Sequence, residues 1–238
     1  MIYITGDIHG SISVASRFNS RNFPEGRTLT KQDYVIIVGD FGLLWADDAE
    51  DRFWLKWLTE KPWTTLFIDG NHENFDLLES YPVSEWNGGR VHHITPSIIH
   101  LMRGQVFEIE GKSFFTFGGA ASHDKEYRKA GVSWWEREMP SLEEYQEGIR
   151  NLEKNQWRVD YVLTHTCSYD ALQWIKGRYH TNVEADPIHT YFNEIKFKLH
   201  YGKWYFGHFH HYAELPDEQV LLYEDRVRLD EQRKGELR

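Results

Sequence analysis

The stretch Ile2-Tyr3-Ile4-Thr5-Gly6-Asp7-Ile8-His9-Gly10 joins a run of β-branched and aromatic residues to a cluster that carries a carboxylate and an imidazole. Such a run reads as a short buried strand, and the Gly-Asp that follows reads as the polar loop that ends it. The same grammar recurs twice. Tyr34 to Val38 leads into Gly39-Asp40-Phe41-Gly42, and Thr65 to Ile68 leads into Gly70-Asn71-His72-Glu73. Asp7 and Asp40 are 33 residues apart, and Asp40 and Asn71 are 31 apart, the length of successive βαβ units of about 30 residues or more. Helical patterns fill the intervals. Ser11 is expected to cap a segment presenting Val14, Ala15 and Phe18, and Phe53, Trp54, Trp57 and Leu58 fall at helical spacing. Parallel strands in this order bring their carboxyl ends to one edge, where open α/β sheets hold ligands.

Outward from this N-terminal third the pattern changes. Ile98 to Leu101, Gln105 to Ile109 and Ser113 to Phe117 are strand-like runs broken by Arg103-Gly104 and Glu110-Gly111, which predicts an antiparallel meander. Ser141-Leu142-Glu143-Glu144 has the form of a capping box, and Leu142, Tyr145, Ile149 and Leu152 lie on one helical face. Tyr161 to Leu163, Lys203 to Phe206 and Gln219 to Tyr223 are later strands. Two of them end in nitrogen donors, Thr164-His165-Thr166 and Gly207-His208-Phe209-His210. In an extended segment His208 and His210 point the same way, so both imidazoles can enter one site. No repeat or linker divides the chain, so a single domain is expected over residues 1–223, followed by a charged tail, 224–238, as a solvated or frayed end.

Composition narrows the function. The chain of 238 residues carries 37 acidic and 27 basic side chains, a formal net charge of −10. This disfavours extended nucleic-acid binding, which draws on a basic stripe, unless bound cations supply the charge locally. A single cysteine, Cys167, excludes an internal disulfide and thiolate metal cages; it is expected to be a small buried hydrophobe. No apolar run approaches the roughly 20 residues of a membrane span, and Met1 leads directly into the first strand, so no membrane partner and a cytoplasmic location are expected. The strand-end clusters together offer Asp7, His9, Asp40, Asn71, His165, His208 and His210, with His72 beside them. This oxygen and nitrogen mixture suits two divalent transition ions better than Ca²⁺ or Mg²⁺ alone.

The ordered set Asp-x-His, Gly-Asp, Gly-Asn-His-Glu, His, Gly-His-x-His, spanning residues 6–210, resembles the calcineurin-like metallophosphoesterases. The resemblance implies an α/β protein built as a four-layer α/β/β/α sandwich with two mixed β-sheets and a dinuclear centre on loops at the strand ends. By position, it implies that Asp7, His9 and His210 hold one ion, that Asn71, His165 and His208 hold the other, and that Asp40 bridges them. His72 is left to face substrate. Many relatives have proline shortly after the ligand that aligns with His165, whereas Thr166-Cys167 follow here. Mn²⁺ is the first expectation for the pair of ions, with Fe, Zn or Ni as alternatives.

Two such cations lower the pKa of a bridging water and bind phosphoryl oxygens. The expected reaction is therefore in-line attack by a metal-bridging hydroxide on a small phosphoester, a monoester or a diester, cyclic nucleotides included. Asp40 and His72 are the expected catalytic pair, with His72 protonating the leaving oxygen or stabilising its charge. The protein Ser/Thr phosphatases share Gly-Asn-His-Glu but continue Gly-Asp with Val-Asp-Arg-Gly; here Phe41-Gly42-Leu43 follows, without that arginine. The segment Gly118 to Arg128, followed by Trp134-Trp135, resembles an insert of small bacterial and phage-borne members and is expected to rim the site. Arg128 is a candidate phosphate clamp or a surface ion pair, His123 a candidate substrate contact, and the two tryptophans either stack a base or bury part of the core. A protein phosphatase, a non-catalytic interaction module on the same fold and a nuclease are the competing readings, and the oligomeric state stays open.

Overall fold

The computed structural model describes residues 1–229, and its strands begin where the β-branched runs begin. β1 (Ile2–Thr5), β2 (Tyr34–Val38) and β3 (Thr64–Ile68) lie parallel and side by side, almost wholly buried, as strands covered on both faces must be. The first sheet continues through β4 (Val83–Trp86), β5 (Gly89–Thr95) and β6 (Ile98–Leu101), with β6 parallel to β3. The second sheet contains β7 (Gln105–Ile109), β8 (Lys112–Phe117), β9 (Tyr161–Thr164), β10 (Lys203–Phe206), β11 (Ala213–Leu215) and β12 (Gln219–Leu221). β13 (Arg226–Leu229) returns to the first sheet beside β1. Among the described residues the strand orders are β13-β1-β2-β3-β6-β5-β4 and β11-β12-β10-β9-β8-β7. Both sheets mix parallel and antiparallel neighbours.

Three apolar clusters define the layers. Ile4, Ile36 and Leu66 of the first sheet meet Phe114, Leu163 and Tyr205 of the second between the sheets. The outer face of the first sheet packs Val35, Ile37 and Phe67 against Val14 and Phe18 of α1 (Val14–Phe18) and Leu58 of α2 (Ala49–Thr59). α3 (Phe75–Leu78) adds Leu78 to that layer. The outer face of the second sheet packs Phe115, Val162 and Trp204 against Leu152 of α4 (Leu142–Lys154), Leu172 of α5 (Tyr169–Tyr179) and Phe192 of α6 (Pro187–Lys198). The architecture is thus the expected α/β/β/α sandwich.

Several local expectations are corrected. The three runs from Ile98 to Phe117 are no meander: β6 pairs with β3, and after Leu101 the chain crosses to the other sheet, where β7 pairs with β8. Periodicity shows that a run is a strand but not which neighbour it pairs with. The β4–β5 hairpin escaped notice although its Asn87-Gly88 turn has positive φ at both residues, 48° and 93°, the conformation that makes Asn-Gly a hairpin signal. Ser11 does not cap a helix. It lies in a 3-10 turn (Gly10–Ile12), and α1 starts one residue after Ser13, whose hydroxyl donates to the Ile8 carbonyl at 2.6 Å. The proposed tail boundary at 223 also moves, because Arg226–Leu229 pair antiparallel with Ile2–Thr5 rather than fraying; the rest of the tail lies outside the described residues. α4 has the capping box read from Ser141, with Ser141 Oγ accepting from Glu144 N–H. Among the described residues no helix is long and apolar enough to cross a membrane.

Candidate metal centre

Each candidate ligand leaves the carboxyl end of a strand, and a glycine in front of most of them makes the approach sterically allowed. A Cβ on Gly39 would lie 1.9 Å from His165 Nδ1, one on Gly70 would lie 2.0 Å from Asp40 Oδ1, and one on Gly207 would lie 2.1 Å from Asp7 Oδ1. The glycines of the three Gly-Asp, Gly-Asn and Gly-His pairs are therefore space for a neighbouring ligand, not only turn residues. His9, Asp40, His208 and His210 all hold positive φ, 49°, 45°, 70° and 54°. This region costs an L-residue roughly 1–2 kcal/mol, and such strain concentrates at functional sites. β10 ends at Phe206, so His208 and His210 are not presented by strand alternation as expected; left-handed backbone at each turns them in.

Ligand atoms of Asp7, His9, Asp40 and His210 all lie within 4.8 Å of one another. His9 Nε2 is 2.9 Å from His210 Nε2, and His210 Nε2 is 3.3 Å from Asp7 Oδ2. On the other side of Asp40, His165 Nε2 stands 3.3 Å from Asp40 Oδ1 and 3.1 Å from Asn71 Oδ1. The His208 ring is T-shaped against that of His165, with centroids 5.0 Å apart, and the His208 N–H donates to the Asp7 carboxylate at 3.0 Å. The seven sequence-derived positions therefore converge, with Asp40 between the two groups.

The donor set fits a cation. His165 Nδ1 lies 3.0 Å from the Val38 carbonyl, an acceptor only, so Nδ1 carries a proton and Nε2 is the atom turned inward. Nε2 then faces two oxygens, Asn71 Oδ1 and Asp40 Oδ1, and in the neutral ring that a metal ligand must present all three atoms offer lone pairs. Three converging lone pairs repel unless a positive ion lies between, and a backbone carbonyl on the far ring nitrogen is the usual support of a metal-bound histidine. Burial alone would raise the Asp40 carboxyl, but His165, His72 and His9 outweigh it and hold Asp40 well below the ordinary range. Burial pushes His9 and His208 down, toward the neutral form a ligand needs. The hydrogen bond to Asp7 raises His210.

A second ring of contacts fixes these loops, and sequence reasoning had given its members no role. Glu73 is buried and accepts from Phe41 N–H at 2.7 Å and Gly42 N–H at 3.1 Å, clamping the Asp40 loop from the Asn71 loop. Burial, then the nearby Asp40, drives its carboxyl upward. Arg17 donates to the Asp7 carbonyl and to Thr5 Oγ1, and Thr5 Oγ1 donates in turn to the Asp225 carbonyl at 2.9 Å. The Asp40 carboxylate accepts from His72 N–H at 2.8 Å.

Of the rim residues, Arg128 Nη1 stands 3.2 Å from His72 Nδ1 and its Nε bonds Asp124 at 2.7 Å. The arginine is thus both beside the centre and in an ion pair. The His123 ring is 6.4 Å from that of His208, across a cavity of about 400 Å³ that both line with His189. A second cavity of about 310 Å³ is lined by His9, Trp45 and His72. Trp135 is buried, packs edge-on against Trp45 and donates to Asp76 at 2.8 Å, so it is core rather than a stacking platform. Cys167 is buried, as expected.

A sandwich of two mixed sheets whose strand ends gather carboxylate, amide and imidazole donors defines a class of protein suited to divalent cations. The family model for the calcineurin-like phosphoesterases matches residues 1–212, and the chain belongs to that family. Its members are mostly phosphoester hydrolases. A search of the curated proteins finds no match to this chain.

Proposed function

We propose that the protein is a two-metal phosphoesterase for small phosphomonoesters or phosphodiesters. The observation that carries this reading is the convergence of His165 Nε2, Asn71 Oδ1 and Asp40 Oδ1 described above. Asp7, His9 and His210 would hold one divalent transition ion, Asn71, His165 and His208 the other, and Asp40 both. When bound, such a pair acidifies a water for in-line attack and neutralises the phosphoryl oxygens.

The remaining chemistry belongs to side chains. A guanidinium can only donate, so His72 Nδ1 is the acceptor in its contact with Arg128, and the neutral ring keeps its proton on Nε2. His72 then serves as a hydrogen-bond donor to the leaving oxygen. A phosphoryl group that engages Arg128 would draw the guanidinium from Nδ1, so that as Nε2 gives its proton to the departing alkoxide Nδ1 takes one from solvent water and the ring ends neutral. Two separate cavities, one lined by His208 and one by His9 and His72, support substrates with two ester arms, cyclic nucleotides among them. The buried Phe41 after Asp40 leaves no arginine where protein phosphatases have theirs.

Metal-stripped protein reconstituted with Mn²⁺, Fe²⁺, Zn²⁺ or Ni²⁺ should turn over aryl phosphomonoesters, aryl phosphodiesters or cyclic nucleotides. Turnover of a phosphopeptide alone would reverse the substrate ranking. Stoichiometric metal uptake without turnover of any of these would favour the interaction module.

A further inference from the structure

Asparagine ligates a cation only through its carbonyl oxygen, and its two ends are nearly equal in size, so the amide has to be held. In this chain the grip comes from the loop after β8. Asn71 Nδ2 donates to Ser122 Oγ at 3.2 Å, which leaves Oδ1 as the end facing His165. Ser122 is buried, and its own N–H donates to Glu138 Oε2 at 3.0 Å. The Glu138 side chain, completely buried, also accepts from Trp135 N–H at 3.4 Å and pairs with Lys125 Nζ at 3.5 Å. Arg103 then closes the circuit. It donates to the Glu138 carbonyl at 3.3 Å and to the Asp69 carboxylate at 2.6 Å, and Asp69 lies two residues before Asn71 on the same loop. Nothing in this ring of contacts needs substrate.

Resting on the two-metal reading above, we propose that Ser122, held by Glu138, is a positioning residue that grips the Asn71 amide by its nitrogen and presents its oxygen to the metal site. The insert between Gly118 and Glu138 is then more than a substrate rim, because it completes one half of the ligand set. Hydrogen bonds of this outer kind are worth about 10–100-fold in metal affinity.

The test is titration of the metal-stripped full chain with Mn²⁺, followed by calorimetry and by the paramagnetic signal of the bound ion. Ser122→Ala should weaken one of the two ions, the one held by Asn71, His165 and His208, by about 10–100-fold, with turnover recovering at high Mn²⁺. Ser122→Cys, close in size but a poor acceptor, should show the same loss and guards against an alanine variant that fails to fold. In an Asn71→Asp background either oxygen can ligate, so adding Ser122→Ala should cost much less. Wild-type affinity for both ions in the serine variants, or an equal loss in both backgrounds, overturns the positioning role. A wild-type chain that takes up one ion overturns the two-metal reading instead; the serine variants then decide the positioning role on that ion, and an unchanged affinity counts against it.

Discussion

At the scale of single residues, the site separates side chains that would hold metal from side chains that would act on substrate. Asp40 lies between the two ligand groups, whereas His72 touches Asp40 only through its backbone N–H. His72→Ala should therefore keep its metal and lose about 10²–10⁴-fold in turnover, the worth of a general acid, whereas Asp40→Ala should lose both. Metal analysis of the two purified variants beside their kcat checks this, and matching metal loss would remove the distinction. Glu73 makes a different prediction. Its oxygens accept two backbone N–H groups, and Glu73→Gln sets an amide NH2 against one of them, an unsatisfied contact of about 1–3 kcal/mol. The urea midpoint should fall accordingly. Asp7, His9, Asp40, Asn71, His165, His208 and His210 were legible because each sits in a short pattern of ligand type beside glycine. Ser122, Glu138 and Arg103 were not, since a lone serine or a glutamate before a helix has no local mark of what it will touch.

At the scale of elements, end signals proved as informative as periodicity. The Ser141 box starts α4 where its residues dictate, and Ser141→Ala should cost about 1 kcal/mol, read as a lower thermal midpoint with kcat unchanged. The β4–β5 hairpin was equally legible in Asn87-Gly88, with its two positive φ angles. β13 had no such mark. Arg226-Val227-Arg228-Leu229 is a charged segment whose strand exists because β1 offers an unpaired edge, and a chain ending at Asp225 would leave that edge bare. Such a truncation should lower the thermal midpoint and promote self-association, visible by light scattering; an unchanged midpoint and scattering profile would show the strand to be dispensable.

At the scale of the whole molecule, pH reaches the fold through a histidine that is not a candidate ligand. His92 is pushed down to about 4, first by burial and then by His100, whose Nδ1 lies 3.1 Å from its own. The unfolded chain takes up this proton near pH 6.5 and the folded chain only near 4. The stability tied to a neutral His92 is thus complete above about pH 6.5 and is lost as pH falls towards 4. His92→Asn should flatten that part of the urea-midpoint profile, and an unchanged slope would assign the acid sensitivity elsewhere. His100 in turn bonds Asp69, which burial would raise but Arg103 and His100 hold well below the ordinary range. Residue order alone was enough for most of the strands, their polar ends, the capped helix and the chemical identity of the candidate ligands, because these depend on neighbours a few positions away. The tertiary structure alone decided that β6 and β7 part into different sheets, that β13 closes the first sheet, and that Ser122 grips Asn71. Pairings across such distances in sequence are chosen by which surfaces remain to be buried once the layers stack, and no local pattern carries that information.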